Sequence, residues 1–169
     1  MKITHLKKFY REDLPKLIKK KNLIGVELGV ARGDFSKQLI NSNKFKFLFG
    51  VDSYSLKQHN KNEYKYALKS TGIFSNYKLL NMTFDDALSL FPDNSIDFIY
   101  FDGFAHTGQD YGKTLIKWSK KIKHNGILSG DITYKQIAVF EGGIINVAGM
   151  KQIDLASDKV VEIMQKVSD

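Results

Sequence analysis

The chain has 169 residues, of which 43% are hydrophobic and 26% are charged, values that suit one globular domain with its own core. It contains no cysteine, which excludes a disulfide framework, a thiolate nucleophile and a cysteine zinc site. No apolar run reaches the roughly 20 residues of a membrane span. The N-terminus lacks an apolar signal core, so a cytoplasmic protein is the simplest expectation.

The formal net charge of +8 comes almost entirely from lysine, since only Arg11 and Arg32 of the 26 basic residues are arginines. Two clusters stand out, namely Lys16, Lys19, Lys20 and Lys21, and Lys117, Lys120, Lys121 and Lys123. Solvated helix faces and ends are the favoured interpretation of such runs. A nucleic-acid surface remains the minority alternative.

The first predicted elements lie in residues 3–21, where apolar residues recur at spacings of mostly three and four. This pattern predicts one or two amphipathic helices, broken or restarted at Pro15. We expect residues 1–21 to form a helical cover over the sheet that follows.

The next element is a short apolar strand with a glycine turn behind it. Leu23–Leu28 contains Glu27 and is followed by Gly29 and Gly33, and Asp34 can cap a helix over residues 35–40. A strand, a glycine turn and a capped helix form the first unit of a doubly wound α/β sheet. Ligands bind such sheets beyond the carboxyl ends of the strands.

The glycine spacing differs from the G-x-G-x-x-G fingerprint of dinucleotide-binding proteins, which disfavours a nicotinamide-dependent dehydrogenase. The pattern Glu-x-Gly-x-x-x-Gly resembles motif I of the class I S-adenosylmethionine-dependent methyltransferases. The resemblance implies that Glu27, Gly29 and Gly33 line the site for the amino-acid and ribose parts of S-adenosylmethionine.

Residues 46–51 form the second predicted strand, which ends at Asp52 and Ser53. Asp52 lies 23 residues after Gly29, and an acidic residue about 20 positions on usually accepts hydrogen bonds from ribose hydroxyls. We therefore assign Asp52, with Ser53 beside it, to cofactor binding. Residues 57–70 are predicted to be helical, with Gly72 beyond the end.

Residues 77–81 form the third predicted strand. Thr83 and Asp86 then make a capping-box pattern for a helix to about residue 91. In the methyltransferases that the chain resembles, the end of strand three approaches the adenine, which makes Met82 and Thr83 candidate contacts. Core packing and helix capping explain these two residues almost as well.

The fourth predicted strand, Ile96–Phe101, runs into Asp102 and Gly103, with His106 shortly after. This segment resembles the methyltransferase-24 type, a bacterial group related to O-methyltransferases. Its usual pattern is Asp-Gly-x-His with a tyrosine soon after. Here one extra residue precedes His106, and the next tyrosine is Tyr111.

Residues 107–122 are predicted to be helical, residues 124–126 to turn, and residues 127–130 to form strand five before Asp131. This stretch also resembles the family, and the resemblance covers about residues 22–132. It implies a Rossmann-like, doubly wound, mostly parallel α/β sheet with right-handed crossovers and helices on both faces.

Residues 133–169 contain a hairpin signal, in which residues 136–141 and 144–147 flank two glycines, and a predicted helix at about residues 154–167. The hairpin either completes the sheet, which we favour, or forms a flap over the site. No linker or repeat indicates a second domain, so residues 1–169 are expected to be one domain.

Two catalytic arrangements remain open at the strand ends. In one, Asp102 and Asp131 bind a divalent cation such as Mg²⁺, as carboxylates do in the magnesium-dependent O-methyltransferases that the chain resembles. Those relatives with catechol-like sites place asparagine after the second aspartate, where this chain has Ile132. In the other, His106 acts as a general base without a metal.

The leading functional prediction is S-adenosylmethionine-dependent methylation of a hydroxyl on a small molecule or glycan. No Asn-Pro-Pro-Tyr or Asp-Pro-Pro-Tyr motif follows strand four, which argues against amino-directed methylation of nucleic acids. The alternatives are a methyltransferase of structured RNA and a non-catalytic cofactor-binding or interaction protein of the same fold. A homodimer that covers a sheet edge is also expected.

Overall fold

The structure is a computed structural model that describes residues 2–6, 10–55, 60–102, 113–133, 136–141 and 144–148. These residues form one sheet of eight strands, in the order β1-β8-β7-β6-β5-β2-β3-β4. The strands are β1 (Lys2–Leu6), β2 (Leu23–Leu28), β3 (Phe45–Val51), β4 (Tyr77–Leu80), β5 (Ile96–Phe101), β6 (Ile122–Thr133), β7 (Gln136–Glu141) and β8 (Ile144–Ala148). The helices are α1 (Leu14–Leu17), α2 (Asp34–Asn41), α3 (Lys61–Thr71), α4 (Phe84–Leu88) and α5 (Lys113–Ser119).

Five adjacent strands, β6, β5, β2, β3 and β4, run parallel to one another. The central strand β5 buries both faces: Phe98 and Tyr100 belong to the core packed against α1 and α2, whereas Ile99 and Phe101 belong to the core packed against α4 and α5. Because successive strand residues point to opposite faces, helices cover both sides. The predicted doubly wound α/β fold is therefore confirmed.

The order of the strands creates a switch point between β2 and β5. From β2 the chain adds β3 and β4 on one side, and it then returns to place β5 on the other side of β2. Ligands of α/β sheets bind outside the carboxyl ends of the strands at such a switch point, and we call this edge of β2 and β5 the crevice. Glu27 is the penultimate residue of β2, and Asp102 follows β5 directly.

The first 21 residues were predicted to be helical, and this prediction is wrong for their first part. Lys2–Leu6 is a strand that pairs in parallel with β8. The described residues 10–21 contain a 3₁₀ turn at Arg11–Asp13 and the single turn of α1. Pro15 lies in the first turn of α1, where its missing N–H costs no hydrogen bond. This agrees with the prediction that a helix restarts at Pro15. The β1–β8 pairing joins positions about 140 residues apart, so local periodicity could not reveal it.

The predicted turn at residues 124–126 is also corrected, because β6 runs through it without a break. The backbone conformation of a turn is nevertheless retained: Asn125 has a φ of 58°, and the register with β5 shifts between Ile96 and Phe98. The segment is thus an irregularity within a long strand. Bulges of this kind accommodate extra residues in a strand. Ile122 belongs to this strand and not to the preceding helix.

The C-terminal hairpin completes the sheet, as we favoured. Strand β7 pairs antiparallel with β6, and β8 pairs antiparallel with β7. The predicted helix at residues 154–167 lies outside the described residues, as do residues 107–112 of the helix predicted over 107–122. Among the described residues, no helix is long and apolar enough to span a bilayer.

Candidate active site

The loop after β2, residues 29–33, which we call the glycine loop, lies tightly against the end of β5. Gly29 and Gly33 have φ values of 93° and 79°, in the left-handed region that glycine adopts at little cost. A Cβ atom on Gly29 would lie 2.9 Å from the carbonyl oxygen of Asp102, so the close approach requires glycine. Gly33 is the N-cap of α2 and Asp34 its first residue, with no capping bond from a side chain. The predicted cap at Asp34 is therefore wrong by one position.

Asp52 holds the glycine loop in place from the end of β3. Its Oδ2 atom accepts hydrogen bonds from the backbone N–H groups of Val30 and Ala31, each at 3.0 Å, and its Oδ1 atom accepts one from Tyr54 at 3.0 Å. The side chain is buried. Ser53 is half-buried, with its hydroxyl 2.8 Å from that of Ser55. The predicted position of Asp52 at the site is thus accompanied by a structural role that the sequence did not indicate.

Glu27 is buried beneath the same loop with 1% of its surface exposed. The Ser36 hydroxyl donates a hydrogen bond to its carboxylate, and the Tyr77 hydroxyl donates to Ser36 at 3.1 Å. Burial raises the pKa of Glu27 to about 8, against the lowering effect of the Ser36 hydrogen bond. This chain of three side chains links β2, α2 and β4.

Gly50 makes room for this chain of hydrogen bonds. A Cβ atom at Gly50 would overlap the Tyr77 hydroxyl and crowd the side chain of Val30. Sequence analysis did not single out Ser36, Tyr77 or Gly50. Ser36 lies only nine residues after Glu27, but no local pattern indicates which helix residue faces a strand carboxylate.

Asp102 forms an ion pair with Arg11 from the N-terminal segment. The Arg11 Nη1 atom donates to Asp102 Oδ2 at 2.8 Å, and 35% and 24% of the two side chains are exposed. The guanidinium carbon lies 5.0 Å from the ring centroid of Phe35, in the first turn of α2. Arg11 thus joins the glycine-loop side of the crevice to the β5 side, and its charge opposes the rise in the pKa of Glu27. The rarity of arginine in the chain was the one sequence signal for it.

Met82 and Thr83 follow β4 at the same edge of the sheet. Thr83 caps α4, since its Oγ1 atom accepts a hydrogen bond from the N–H of Asp86 at 3.1 Å, as predicted. Met82 is half-buried and packs against the core on the α4 and α5 side. Their predicted contact with adenine stays a prediction. Helix α4 ends at Leu88, short of the predicted end at residue 91.

The remaining catalytic candidates are only partly described. His106 lies outside the described residues, and so does the side chain of Asp131, although its backbone belongs to β6. Gly130 pairs with Phe101 across β6 and β5, so the backbone brings Asp131 level with Asp102. The described residues contain no group of three or more side chains suited to a metal ion, and Asp102 is bonded to a guanidinium. The predicted Mg²⁺ site at Asp102 and Asp131 therefore stays a prediction.

Several lysines of the two clusters have local partners. Four of them form ion pairs, namely Lys16 with Asp13 at 2.5 Å, Lys117 with Asp85 at 2.8 Å, Lys121 with Asp93 at 2.7 Å and Lys123 with Asp97 at 2.8 Å. Lys20 donates to the carbonyl oxygen of Asn125 at 2.6 Å. We call Lys19, Lys20, Lys21, Lys120, Lys121 and Lys123 the amino-end rim, because they precede or begin β2 and β6. The rim lies at the opposite edge of the sheet from the crevice.

Three solved structures illustrate what the fold resembles. A candidate caffeoyl-CoA O-methyltransferase from Staphylococcus aureus has a TM-score of 0.57 and 16% identity, with 94% of this chain and 69% of that chain covered. TYW2 from M. jannaschii, solved with AdoMet, has a TM-score of 0.54 and 16% identity, with 70% and 49% covered. A Haloferax volcanii complex between the Trm112 methyltransferase activator and a candidate methyltransferase has a TM-score of 0.54 and 19% identity, with 69% and 48% covered.

This chain spans about half the length of two of these three structures. No curated protein sequence matches it with significant similarity. Residues 26–131, however, match the family Methyltransf_24, a methyltransferase domain. That stretch covers more than half of the chain and runs from within β2 to within β6. The chain therefore belongs to the Methyltransf_24 family of methyltransferases.

Proposed function

We propose that this protein transfers a methyl group from S-adenosylmethionine to a hydroxyl of a small molecule or glycan. The observation that carries the proposal is the switch-point crevice of a methyltransferase-family chain, in which Glu27, the glycine loop and Asp102 converge. A carboxylate in place of the first glycine of a dinucleotide fingerprint disfavours a pyrophosphate and favours a ligand that carries an ammonium group.

The cofactor would extend along the carboxyl ends of β5, β2, β3 and β4. Asp102 supplies negative charge for an ammonium group, with the buried carboxyl group of Glu27 beneath the same loop, and Gly29 and Gly33 allow the backbone close approach. Asp52 and Ser53 stand at the end of β3 for the ribose hydroxyls, and Met82 and Thr83 stand at the end of β4 for the adenine. Each of these contacts is part of the proposal.

When bound, S-adenosylmethionine supplies an activated methyl group on a sulfonium. The protein then has to hold the acceptor oxygen in line with that group and remove the proton of the hydroxyl. We assign the proton to His106, which follows β5 by five residues, with Asp131 beside the acceptor. A magnesium-assisted route would require Asp102 to exchange Arg11 for a cation, so the histidine route is the one we favour.

Isothermal titration calorimetry of the protein with S-adenosylmethionine, S-adenosylhomocysteine and NAD tests the cofactor class. We expect dissociation constants in the micromolar range, about −8 kcal/mol, for the two sulfur nucleosides and no heat with NAD. Binding to neither sulfur nucleoside would contradict the proposal and favour a non-catalytic protein of the same fold.

If the sulfur nucleosides bind, an acceptor screen with and without EDTA separates the two catalytic routes. Turnover that persists in EDTA and falls about 10²-fold or more in His106→Ala supports the general base. Turnover abolished by EDTA would restore the magnesium route.

A further inference from the structure

Arg11 is placed where a ligand of the crevice would end, although it comes from outside the parallel core. It lies 91 positions from Asp102 in sequence, yet its Nη1 atom is 2.8 Å from the Asp102 carboxylate. Its guanidinium carbon lies 5.0 Å from the Phe35 ring centroid. Phe35 itself packs on Tyr100 of β5 at 4.7 Å between centroids, so Arg11 lies beside the carboxyl end of β5.

The stability of the fold gives little reason for an arginine here. Ion pairs with side chains about one-third exposed contribute little, because water screens the charges and the long side chain loses entropy. The chain otherwise uses lysine at 24 of its 26 basic positions. What arginine adds over lysine is a planar fork of five N–H donors, which matches the geometry of a carboxylate and can contact two carboxylates at once.

The charges around Arg11 have the pattern that an α-amino acid requires. In the part of the chain that the structure describes, the cation Arg11 lies beside Asp102 and interacts electrostatically with Glu27. It also makes a longer contact of 3.9 Å with the more exposed Glu12. An α-amino acid presents a carboxylate and an ammonium on one carbon. The guanidinium of Arg11 can bind the carboxylate, and the nearby carboxyl groups can bind the ammonium.

We propose that the Arg11–Asp102 pair is the receptor for the amino-acid end of the cofactor, with Arg11 binding its carboxylate. The inference rests on the proposed use of S-adenosylmethionine and adds a specificity residue to it. The N-terminal segment is then part of the binding site. Arg11 keeps its hydrogen bond to Asp102 and also donates to the carboxylate of the cofactor.

The test compares S-adenosylmethionine with decarboxylated S-adenosylmethionine, which keeps the ammonium and the sulfonium and lacks only the carboxylate. In the wild-type protein we expect calorimetry to give at least a ~10-fold preference for the intact cofactor, the size of a charge-assisted hydrogen bond. Arg11→Gln should reduce this preference to about twofold or less by weakening only the intact cofactor. Arg11→Lys should retain part of it, since the charge remains and the fork is lost.

Lys16→Gln is the matched control, because it removes a positive charge from the same segment, where Lys16 pairs with Asp13 at the surface. It should leave the preference unchanged. An Arg11→Gln protein with the wild-type preference, or a wild-type protein that binds both compounds equally, would overturn this inference alone. A wild-type protein that binds neither compound would overturn the proposed function, and this inference with it.

Discussion

At the scale of single residues, Glu27 is a carboxyl group that the fold makes costly to ionise. Burial raises its pKa to about 8 from an ordinary value of 4.5, and the nearby Asp102 and Asp52 add to the rise. The folded protein therefore holds a proton that the unfolded chain releases between these two pH values. The stability that this proton confers is present below about pH 4.5 and is lost as the pH rises towards 8.

We predict that Glu27→Gln removes this pH dependence. Glutamine has the shape of the protonated carboxyl group and can still accept from Ser36, so the two proteins should have similar free energies of unfolding near pH 5. At pH 8 the variant should be the more stable by on the order of 3 kcal/mol, from about 1.4 kcal/mol per pKa unit. Urea denaturation of both proteins at several pH values measures the difference.

Glu63→Gln, at a half-buried position on α3, is the control for the general effect of removing a carboxyl group. Its stability relative to the wild type should change little from pH 5 to pH 8. A difference between Glu27→Gln and the wild type that stays constant across this range would contradict the raised pKa of Glu27.

Which residues would stand at the site could be predicted, but their partners could not. Glu27, Asp52 and Asp102 each follow or end an apolar run, and the carboxyl ends of parallel strands meet at one edge. Ser36, Tyr77 and Arg11 reach these carboxylates from other elements, with the Arg11 contact spanning 91 positions. Such contacts depend on how the elements pack, which no spacing in the sequence records.

At the scale of elements, the glycine loop and the end of β3 behave as one unit. Two N–H groups of the loop donate to Asp52, and the Tyr54 hydroxyl donates to the carbonyl oxygen of Ala31 at 2.8 Å. Ala31 and Tyr54 both have positive φ values, 50° and 49°, which non-glycine residues adopt only where the surroundings impose them. The hydrogen bonds to Asp52 and from Tyr54 supply that constraint.

We predict that Asp52→Asn destabilises the protein by about 2 kcal/mol, because an amide cannot accept from all three N–H donors and buried donors lose their partners. The same substitution should weaken S-adenosylhomocysteine binding by at least ~1 kcal/mol if Asp52 also holds the ribose. Thermal unfolding and calorimetry measure the two effects separately.

A modified ligand distinguishes a direct contact between Asp52 and the ribose from an indirect effect of Asp52 on the conformation of the glycine loop. The wild-type protein should bind the 2′-deoxy analogue of S-adenosylhomocysteine more weakly than the parent, and Asp52→Asn should lose this discrimination, as a double-mutant cycle would show. If the variant still discriminates as the wild type does, Asp52 only shapes the loop and the ribose assignment is wrong.

Elements with local signals were predictable, and elements that depend on distant pairing were not. Strands β2 to β5 each carry a compact apolar run bounded by polar or glycine residues, and the capping residue Thr83 indicates the start of α4. Strand β1 carries apolar residues at helical spacing, and it is a strand because β8 offers it an edge. Asn125 has the left-handed backbone conformation of a turn, but the predicted turn is wrong because β6 continues through it, with Ile122 and Ile127 both paired to β5.

At the scale of the whole molecule, the excess positive charge and the crevice occupy opposite edges of the sheet. The amino-end rim precedes or begins β2 and β6, whereas Glu27 and Asp102 lie at the carboxyl ends of β2 and β5. A six-residue strand spans about 20 Å, which exceeds the Debye length of about 8 Å at physiological salt. Two lysines of the rim are also paired with aspartates. The charge therefore gives little steering of a small acceptor towards the crevice.

We predict that the triple substitution Lys19→Gln, Lys20→Gln and Lys21→Gln weakens retention on RNA without affecting methyl transfer to a small acceptor. Each lysine that contacts a phosphate contributes about 0.7 to the slope of log affinity against log salt for single strands, so the slope should fall by up to ~2. Affinity for S-adenosylhomocysteine should stay within about twofold of the wild-type value, because the rim lies beyond the screening distance. Filter binding at several salt concentrations and calorimetry measure the two quantities.

The same variant decides between the two classes of acceptor. A small hydroxyl compound occupies only the crevice, so its turnover should not respond to the rim. An RNA acceptor long enough to reach from the crevice to the rim would lose affinity with each lysine, and its KM would rise while kcat stayed the same. A rise in KM for an RNA acceptor, together with a wild-type response to salt that is lost in the variant, would overturn the small-molecule proposal. It would make the amino-end rim part of the substrate site.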